Sequence, residues 1–371
     1  MRRNKKKKDP LKIAIIVVSI LLAIVLAVGA SGYAYINGKF SLLDFVFITK
    51  DHKELGISET TEAQMAKFRN IALLGIDSLT TTDGYDYDEQ YRSDCIMIAS
   101  IREDTNEVNL YSVYRDTFVQ MELDGQTKLD KINHAYYGGV ANTIKTLNNN
   151  FDLNIKEFVM VDFKSLSEII DAVGGVSINV DSSELKYINS YVSGINKVIY
   201  GDNKSKYSKA VERTGTQNLN GIQAVAYCRI RYTEGGDYKR TERMRDVLGK
   251  VIEKVKNKNI FEIDNLLEII LPKIRTNIER DDVFNIVKNI FSYKIISNFG
   301  FPYEKEEVIM NYKDYSKKYD SSNKDWYTAP KTLESNVLRL HKEIYGQENY
   351  VVPDKIKAIS EEIIKTTKVG K

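Results

Sequence analysis

The chain is poor in the residues that build disulfide scaffolds and zinc sites. Its 371 residues include two cysteines, three histidines and five prolines. Two thiols, Cys95 and Cys228, are too few for a disulfide framework, and the sequence leaves open whether they pair or sit apart as small buried hydrophobes. Zinc takes several imidazole or thiolate ligands, whereas His52, His134 and His341 are widely separated. There is also no G-x-S-x-G elbow, no phosphate-binding P-loop and no G-x-G-x-x-G turn, so serine hydrolases, P-loop enzymes and dinucleotide binders have no motif to support them. No internal repeat is present.

A large net excess of charge of either sign is missing from most of the chain as well. The net charge is +3, yet Arg2, Arg3 and Lys5 to Lys8 alone supply six positive charges, so the remainder carries −3. A slightly acidic body is poor material for neutralising many phosphates, and no nucleic-acid partner is expected. A hydrophobic content of 43% with 10% aromatics is enough for a real core and argues against global disorder.

What is present begins with an uncharged run from Ile13 to Ile36, rich in Ile, Val, Leu and Ala. Roughly 24 residues at about 1.5 Å each span about 36 Å, enough to cross a hydrocarbon core with some tilt. The basic run before it places residues 1–12 in the cytoplasm by the positive-inside rule. The expectation is a single-pass cell-membrane protein with a transmembrane helix at 13–36 and an extracellular catalytic domain. A cleaved signal peptide is the competing reading, from the small residues Ala27-Val-Gly-Ala-Ser31. The run exceeds the usual apolar region of a signal peptide, which favours an uncleaved anchor. Residues 37–67 read as a juxtamembrane stalk, 68–346 as the catalytic domain and 347–371 as a Lys-rich tail.

Within the body, Asn70 to Asp77, Ile96 to Ile101, Val108 to Val113, Phe158 to Asp162 and Val176 to Val180 read as strands. Helices are expected at 131–137, 140–150, 164–172, 219–228, 238–257 and 333–345, with amphipathic helix over 259–292 broken at Pro272. Residues 181–217, rich in Ser, Tyr, Asn and Lys, read as a long irregular excursion, and 312–330 as a polar loop. Strands alternating with helices imply an α/β fold, a sandwich whose central mixed β-sheet is covered on both faces.

The residues that carry chemistry are arginines beside aspartates. Arg229, Arg231, Arg240 and Arg243 fall within fifteen residues, and Arg92-Ser-Asp94 and Arg115-Asp116 stand earlier. A guanidinium is a fixed fork of donors matched to phosphate oxygens and stays charged at working pH. Arg240 and Arg243 share a helix face at i and i+3, and Arg229 and Arg231 would point the same way in an extended segment. Asp77 follows a strand at the end where α/β sheets place ligands, and Asp94 opens the next strand. Two carboxylates at one rim would suit Mg²⁺; the plainer alternative is two strand-end turn caps. Lys131 is either a further phosphate contact or a solvated lysine. Surface ion pairing is the plain alternative for each arginine.

These residues resemble the LytR–CpsA–Psr family of cell-wall enzymes. The matching stretches are Leu74-Gly-Ile-Asp77, Arg92-Ser-Asp94, Ser112 to Asp116, Lys131-Ile-Asn-His-Ala-Tyr136 with Gly138-Gly139, Val161-Asp-Phe163, Asp171 to Val176, Leu219-Asn-Gly221, Ala226 to Arg231 and Asp237 to Arg243. The resemblance implies an α/β/α sandwich with a groove for a polyprenyl tail. It implies a phosphotransferase that moves a glycopolymer from a polyprenyl-pyrophosphate carrier to peptidoglycan through a phosphodiester. Asp77 and Asp94 would hold Mg²⁺, and Arg92, Arg115, Lys131, Arg229, Arg231, Arg240 and Arg243 would grip the pyrophosphate. Asp77, Arg92, Asp94, Arg115, Arg240 and Arg243 form the implied catalytic set. Helices 140–150 and 164–172 are candidate walls for the lipid, unless their apolar stripes are plain core. Asp77 is the first candidate for a base toward the acceptor hydroxyl, although metal coordination makes a carboxylate a poor one. The chain departs from the pattern at Met244, where many relatives carry glutamine, at Arg245, a possible seventh cation, and at Tyr114, where proline is common. A lipid pyrophosphatase and a non-catalytic lipid-pyrophosphate-binding module are the competing functions; a transcriptional regulator lacks a basic reading helix.

Overall fold

The computed structural model of the protein describes residues 38–76, 92–310 and 325–369. In chain order, β1 (Asp44–Phe45) and α1 (Glu59–Gln64) lead into three long strands, β2 (Phe68–Ile76), β3 (Ser93–Arg102) and β4 (Glu107–Val113). A hairpin of β5 (Phe118–Leu123) and β6 (Gln126–Lys131) runs through a 3₁₀ turn at Ile132–Gly138 into α2 (Gly139–Phe151). Then come β7 (Glu157–Asp162), α3 (Phe163–Ala172), β8 (Val176–Val180), α4 (Ser182–Tyr200), β9 (Gly215–Leu219), α5 (Gly221–Arg229) and α6 (Gly236–Lys256). The remainder is α7 (Ile260–Ile270), β10 (Arg275–Thr276), α8 (Arg280–Lys288), β11 (Lys294–Phe301), β12 (Lys305–Met310), β13 (Asp325–Pro330), α9 (Leu333–Tyr345) and α10 (Asp354–Thr367).

Seven strands form the central sheet in the order β1-β10-β7-β2-β3-β4-β11. β2 pairs parallel with β7 and antiparallel with β3, and β4 pairs parallel with β11, so the sheet is mixed, as expected. Period-two alternation sends successive side chains to opposite faces. Leu74, Ile76, Ile96, Ile98, Tyr111 and Phe158 pack on one face with α2, α9 and α10. Leu73, Met97, Leu110 and Val161 face the other side with α3, α4, α5 and α6.

Several expectations need correction. Residues 182–200 are a 19-residue helix rather than an irregular excursion. The Asp181 and Glu184 side chains exchange a capping box at its start, and Ile188, Val192 and Ile195 supply a buried stripe at i, i+4 and i+7. The intervening Ser, Asn and Tyr residues mask that period. Residues assigned to a stalk join the domain: β1 pairs with β10, and Ile48, Leu55, Ile57 and Met65 enter the core. The expected C-terminal tail contributes α10, held by buried Ile356, Ile359 and Ile363. Residues 325–330 are a strand paired with β12, not loop. Helices α2 and α3 lie on opposite faces of the sheet and cannot together wall one slot.

An apolar cavity of about 240 Å³ does exist elsewhere. Val159 of β7, Val255 at the end of α6, Ile263 and Leu266 of α7, and Val283 and Ile286 of α8 line it. Among the described residues no helix is long and apolar enough to cross a membrane. The span expected at 13–36 lies outside them.

Candidate active site

The site is built where the parallel strands β2 and β7 end. β2 stops at Ile76, paired with Ser93 and Asp162. Gly75 pairs with Cys95, so the β2–β3 register shifts and Asp94 is the extra residue at the irregularity. A Cβ on Gly75 would stand 2.8 Å from the Cys95 Cβ, so the close approach that sets this rim requires glycine.

Asp94 collects three of the expected arginines. Its Oδ1 accepts from Arg115 Nη1 at 2.5 Å, its Oδ2 lies 3.7 Å from Arg231 Nη2, and its carbonyl accepts from Arg240 Nη2 at 3.5 Å. Burial alone would raise the Asp94 carboxyl, but the charges of Arg115, Arg240 and Arg231 hold it below the usual carboxylate range. Arg240 is only 2% exposed and pairs with Asp237 Oδ1 at 2.8 Å. Burial first, then repulsion from Arg115 and Arg231, push its pKa down to about 10 against the pull of Asp237. Arg115 is shared among Asp94, Asp116 at 3.5 Å and Asp237 at 3.6 Å, and these acids raise its pKa against the opposing effect of burial. Arg115 Nε, Arg240 Nε and Asp237 Oδ2 are buried without a hydrogen-bond partner. Arg115 Nε keeps only its longer ionic contacts with Asp116 and Asp237, and unbonded donors on two clustered guanidiniums are what a site for an anionic ligand would leave.

The other expected residues are distributed around this core. Lys131 donates from Nζ to Asp325 Oδ2 at 2.6 Å, lies 3.7 Å from Asp116, and stands 5.0 Å over the Tyr327 ring. Burial opposes ionisation of Asp325, and Lys131 outweighs it to lower that carboxyl. Arg92 donates from Nε to Tyr137 Oη at 2.6 Å. Arg229 is the last residue of α5, not part of an extended segment, and its guanidinium lies 4.9 Å from the Phe163 ring centroid. Arg229 and Arg231 therefore meet different partners. Asp77 lies outside the described residues, as does the acidic stretch at 83–89.

Arg243 stands apart from the rim. It is 2% exposed, donating from Nε to Glu184 Oε1 at 2.8 Å, from Nη1 to the Ile230 carbonyl at 3.1 Å and from Nη2 to Thr233 Oγ1 at 2.7 Å. Its donors are committed to holding the turn after Arg229 against the start of α4. Arg245 is likewise engaged beneath the strands, donating to Ser112 Oγ and Asn298 Oδ1, so it ties α6 to β4 and β11 and is no seventh cation at the rim. Met244 is buried in the core beside it.

Sequence reasoning assigned no role to Asp237, Asp116, Asp325 or Glu184. Asp237 had a signal: it precedes Arg240 by three residues, one helical turn. Asp325 and Glu184 had none, since their partners are 194 and 59 residues away. Cys95 and Cys228 are both free, and burial pushes the Cys95 thiol up to about 12.

The chain is similar to several known proteins. A polyisoprenyl-teichoic acid–peptidoglycan teichoic acid transferase TagU of Enterococcus faecalis is 32% identical over 223 residues, covering 60% of this chain and 64% of that protein. The chain thus spans less than two thirds of that relative's length. The protein of the same name from Bacillus cereus is 29% identical over 276 residues, covering 71% and 79%. The crystal structure of Bacillus subtilis TagV shares the fold, with a TM-score of 0.57 at 23% identity over 77% of this chain and 99% of that one. Residues 46–331 match the LytR_cpsA_psr family, and the chain belongs to it.

Proposed function

We propose that the protein is a phosphotransferase that moves a glycopolymer of the teichoic-acid class from a polyprenyl-pyrophosphate carrier to peptidoglycan. The observation that carries this reading is the cluster of Arg115, Arg231 and Arg240 about Asp94, with two buried guanidinium donors unsatisfied. Phosphoryl transfer asks the protein mainly for positioning and charge stabilisation. In the reaction an acceptor hydroxyl oxygen bonds to the sugar-bearing phosphorus as its proton passes to solvent, the diphosphate P–O bond breaks, and polyprenyl phosphate leaves. Arg115 and Arg240 face the diphosphate from within the fold, and half-exposed Arg231 closes on it from solvent. Asp94, Asp116 and Asp237 orient these forks, as a buried guanidinium needs fixed acceptors to hold its plane. The names of the relatives support the substrate class.

Mg²⁺ fits the donor chemistry. Among the described residues no group of three or more acidic, His or Cys side chains is arranged to hold a metal ion by itself, and magnesium keeps few protein ligands, taking the rest from phosphates and water. Asp94, whose Oδ2 lies 3.7 Å from Arg231, would be one ligand, with Asp77 proposed as the second from the motif alone. When bound, the ion would neutralise charge on the diphosphate oxygens.

The apolar cavity supports a lipid carrier, because its lining has no charged side chain and a prenyl chain needs a dry slot. The basic-flanked run at 13–36 supports a single-pass membrane anchor with the domain outside the cell. Incubation of the full chain with lipid-linked polymer, Mg²⁺ and peptidoglycan tests the proposal. Covalent polymer–peptidoglycan linkage is expected; free phosphorylated glycan without linkage would mark a pyrophosphatase instead.

A further inference from the structure

One residue along the chain from Arg231 begins an aromatic pair that phosphate chemistry leaves unused. Tyr232 directly follows Arg231 and is 72% exposed. Its ring faces Tyr187 of α4, with centroids 5.8 Å apart and planes inclined by 45°. A lone exposed aromatic is ordinary on a protein surface, but this one is held in place. Arg243 bonds the Ile230 carbonyl on one side of Tyr232 and Thr233 Oγ1 on the other. The same guanidinium pairs with Glu184, three residues before Tyr187, and Glu184 accepts in turn from the Asp181 backbone N–H at 3.0 Å. A buried ion pair thus fixes both tyrosines in one frame, although they come from elements 45 residues apart in sequence.

Position indicates what such a frame would hold. In a diphosphate-linked donor the first sugar is one bond from the phosphate that Arg231 approaches. Consecutive Cα atoms are about 3.8 Å apart, so Tyr232 stands on the same short segment as the guanidinium that approaches that phosphate. The C–H face of a pyranose is weakly positive and the face of a phenol ring is negative, so the two stack. Resting on the transferase reading above, we propose that Tyr232, backed by Tyr187, is a stacking platform for the carrier-proximal pyranose of the donor glycopolymer. Arg243 and Glu184 are positioning residues for it.

The test compares three probes on the full chain in detergent: geranylgeranyl diphosphate, the same prenyl diphosphate carrying an N-acetylhexosamine disaccharide, and a soluble peptidoglycan tetrasaccharide. Tyr232→Ala should weaken the sugar-bearing lipid about tenfold and the bare diphosphate less than about twofold, while Tyr232→Phe and Tyr232→Trp stay within about twofold of wild type on both. Equal loss on both lipids, or no loss, overturns the platform. A Tyr232→Phe defect as large as that of Tyr232→Ala overturns stacking in favour of the hydroxyl. Loss confined to the tetrasaccharide overturns the donor assignment. Wild-type binding of the bare diphosphate tests the transferase reading by itself; its absence would remove that reading and the platform with it.

Discussion

At the scale of single residues, the arginines that look alike in sequence separate by burial. Arg231 is 41% exposed with one long contact to Asp94, so Arg231→Ala should change stability by less than about 0.5 kcal/mol. Transfer should nevertheless fall about 10²-fold or more, as for loss of a donor aimed at developing charge. Thermal unfolding and initial rates on one preparation check both halves. Arg243 should behave in the opposite order. Removing one partner of a buried ion pair leaves the other uncompensated and costs about 3–5 kcal/mol, so Arg243→Ala should be visible first in urea unfolding. Asp94 adds a pH signature. Its folded-state pKa is depressed, so its stabilising contribution is present above the unfolded value of about 3.9 and lost as pH falls through the folded one. Asp94→Asn should therefore destabilise the protein at pH 7, and the difference from wild type should shrink as the solution is acidified. A difference that grows toward acid would contradict the ion-pair assignment.

At the scale of elements, what was legible depended on whether a period survived its sequence context. β2, β3, β4 and β7 carry dense apolar alternation, and their expected positions hold. α4 failed that reading because its three-residue buried stripe is diluted by polar and aromatic residues, and only the Asp181–Glu184 capping pair marked its start. β5, β6, β11 and β12 were not anticipated; in β11 four of eight residues are exposed or half-exposed polar or glycine positions, and its pairing with β4 is parallel and distant. Long-range pairing of that kind leaves no local signal. The rim itself rests on an element-scale device, the β2–β3 irregularity that projects Asp94. Gly75→Ala would drive a methyl to 2.8 Å from Cys95 Cβ, and such overpacking typically costs about 1–3 kcal/mol. The expected outcome is reduced stability together with a larger loss of transfer than the residual folded fraction explains. Cys95→Gly in the same chain should recover both, since it removes the Cβ that clashes.

At the scale of the whole molecule, two features decide how a lipid substrate is handled: the polar rim at the ends of β2 and β7 and the apolar cavity beneath α7 and α8. Val159 lies on β7, the strand that runs from the cavity to Asp162 at the rim, so the two are joined by one element of the sheet. α8 covers the cavity without a single fully buried residue of its own, which makes it the least anchored of the covering helices and the easiest to displace by a ligand. Binding energy gathered along a remote chain can be spent on orientation at the reacting phosphorus. Narrowing the cavity should therefore penalise long carriers in turnover as well as in affinity. Val159→Phe adds a ring on the floor of the cavity, where the sheet cannot move aside. With this variant kcat/KM for a long prenyl carrier should fall about tenfold or more, whereas a carrier too short to reach the cavity should be used at about the wild-type rate. Stability should hold or rise slightly, because the added ring fills space that water would avoid. If long and short carriers lost activity in equal proportion, the cavity would be a packing defect of the core and the lipid would have to lie elsewhere on the domain.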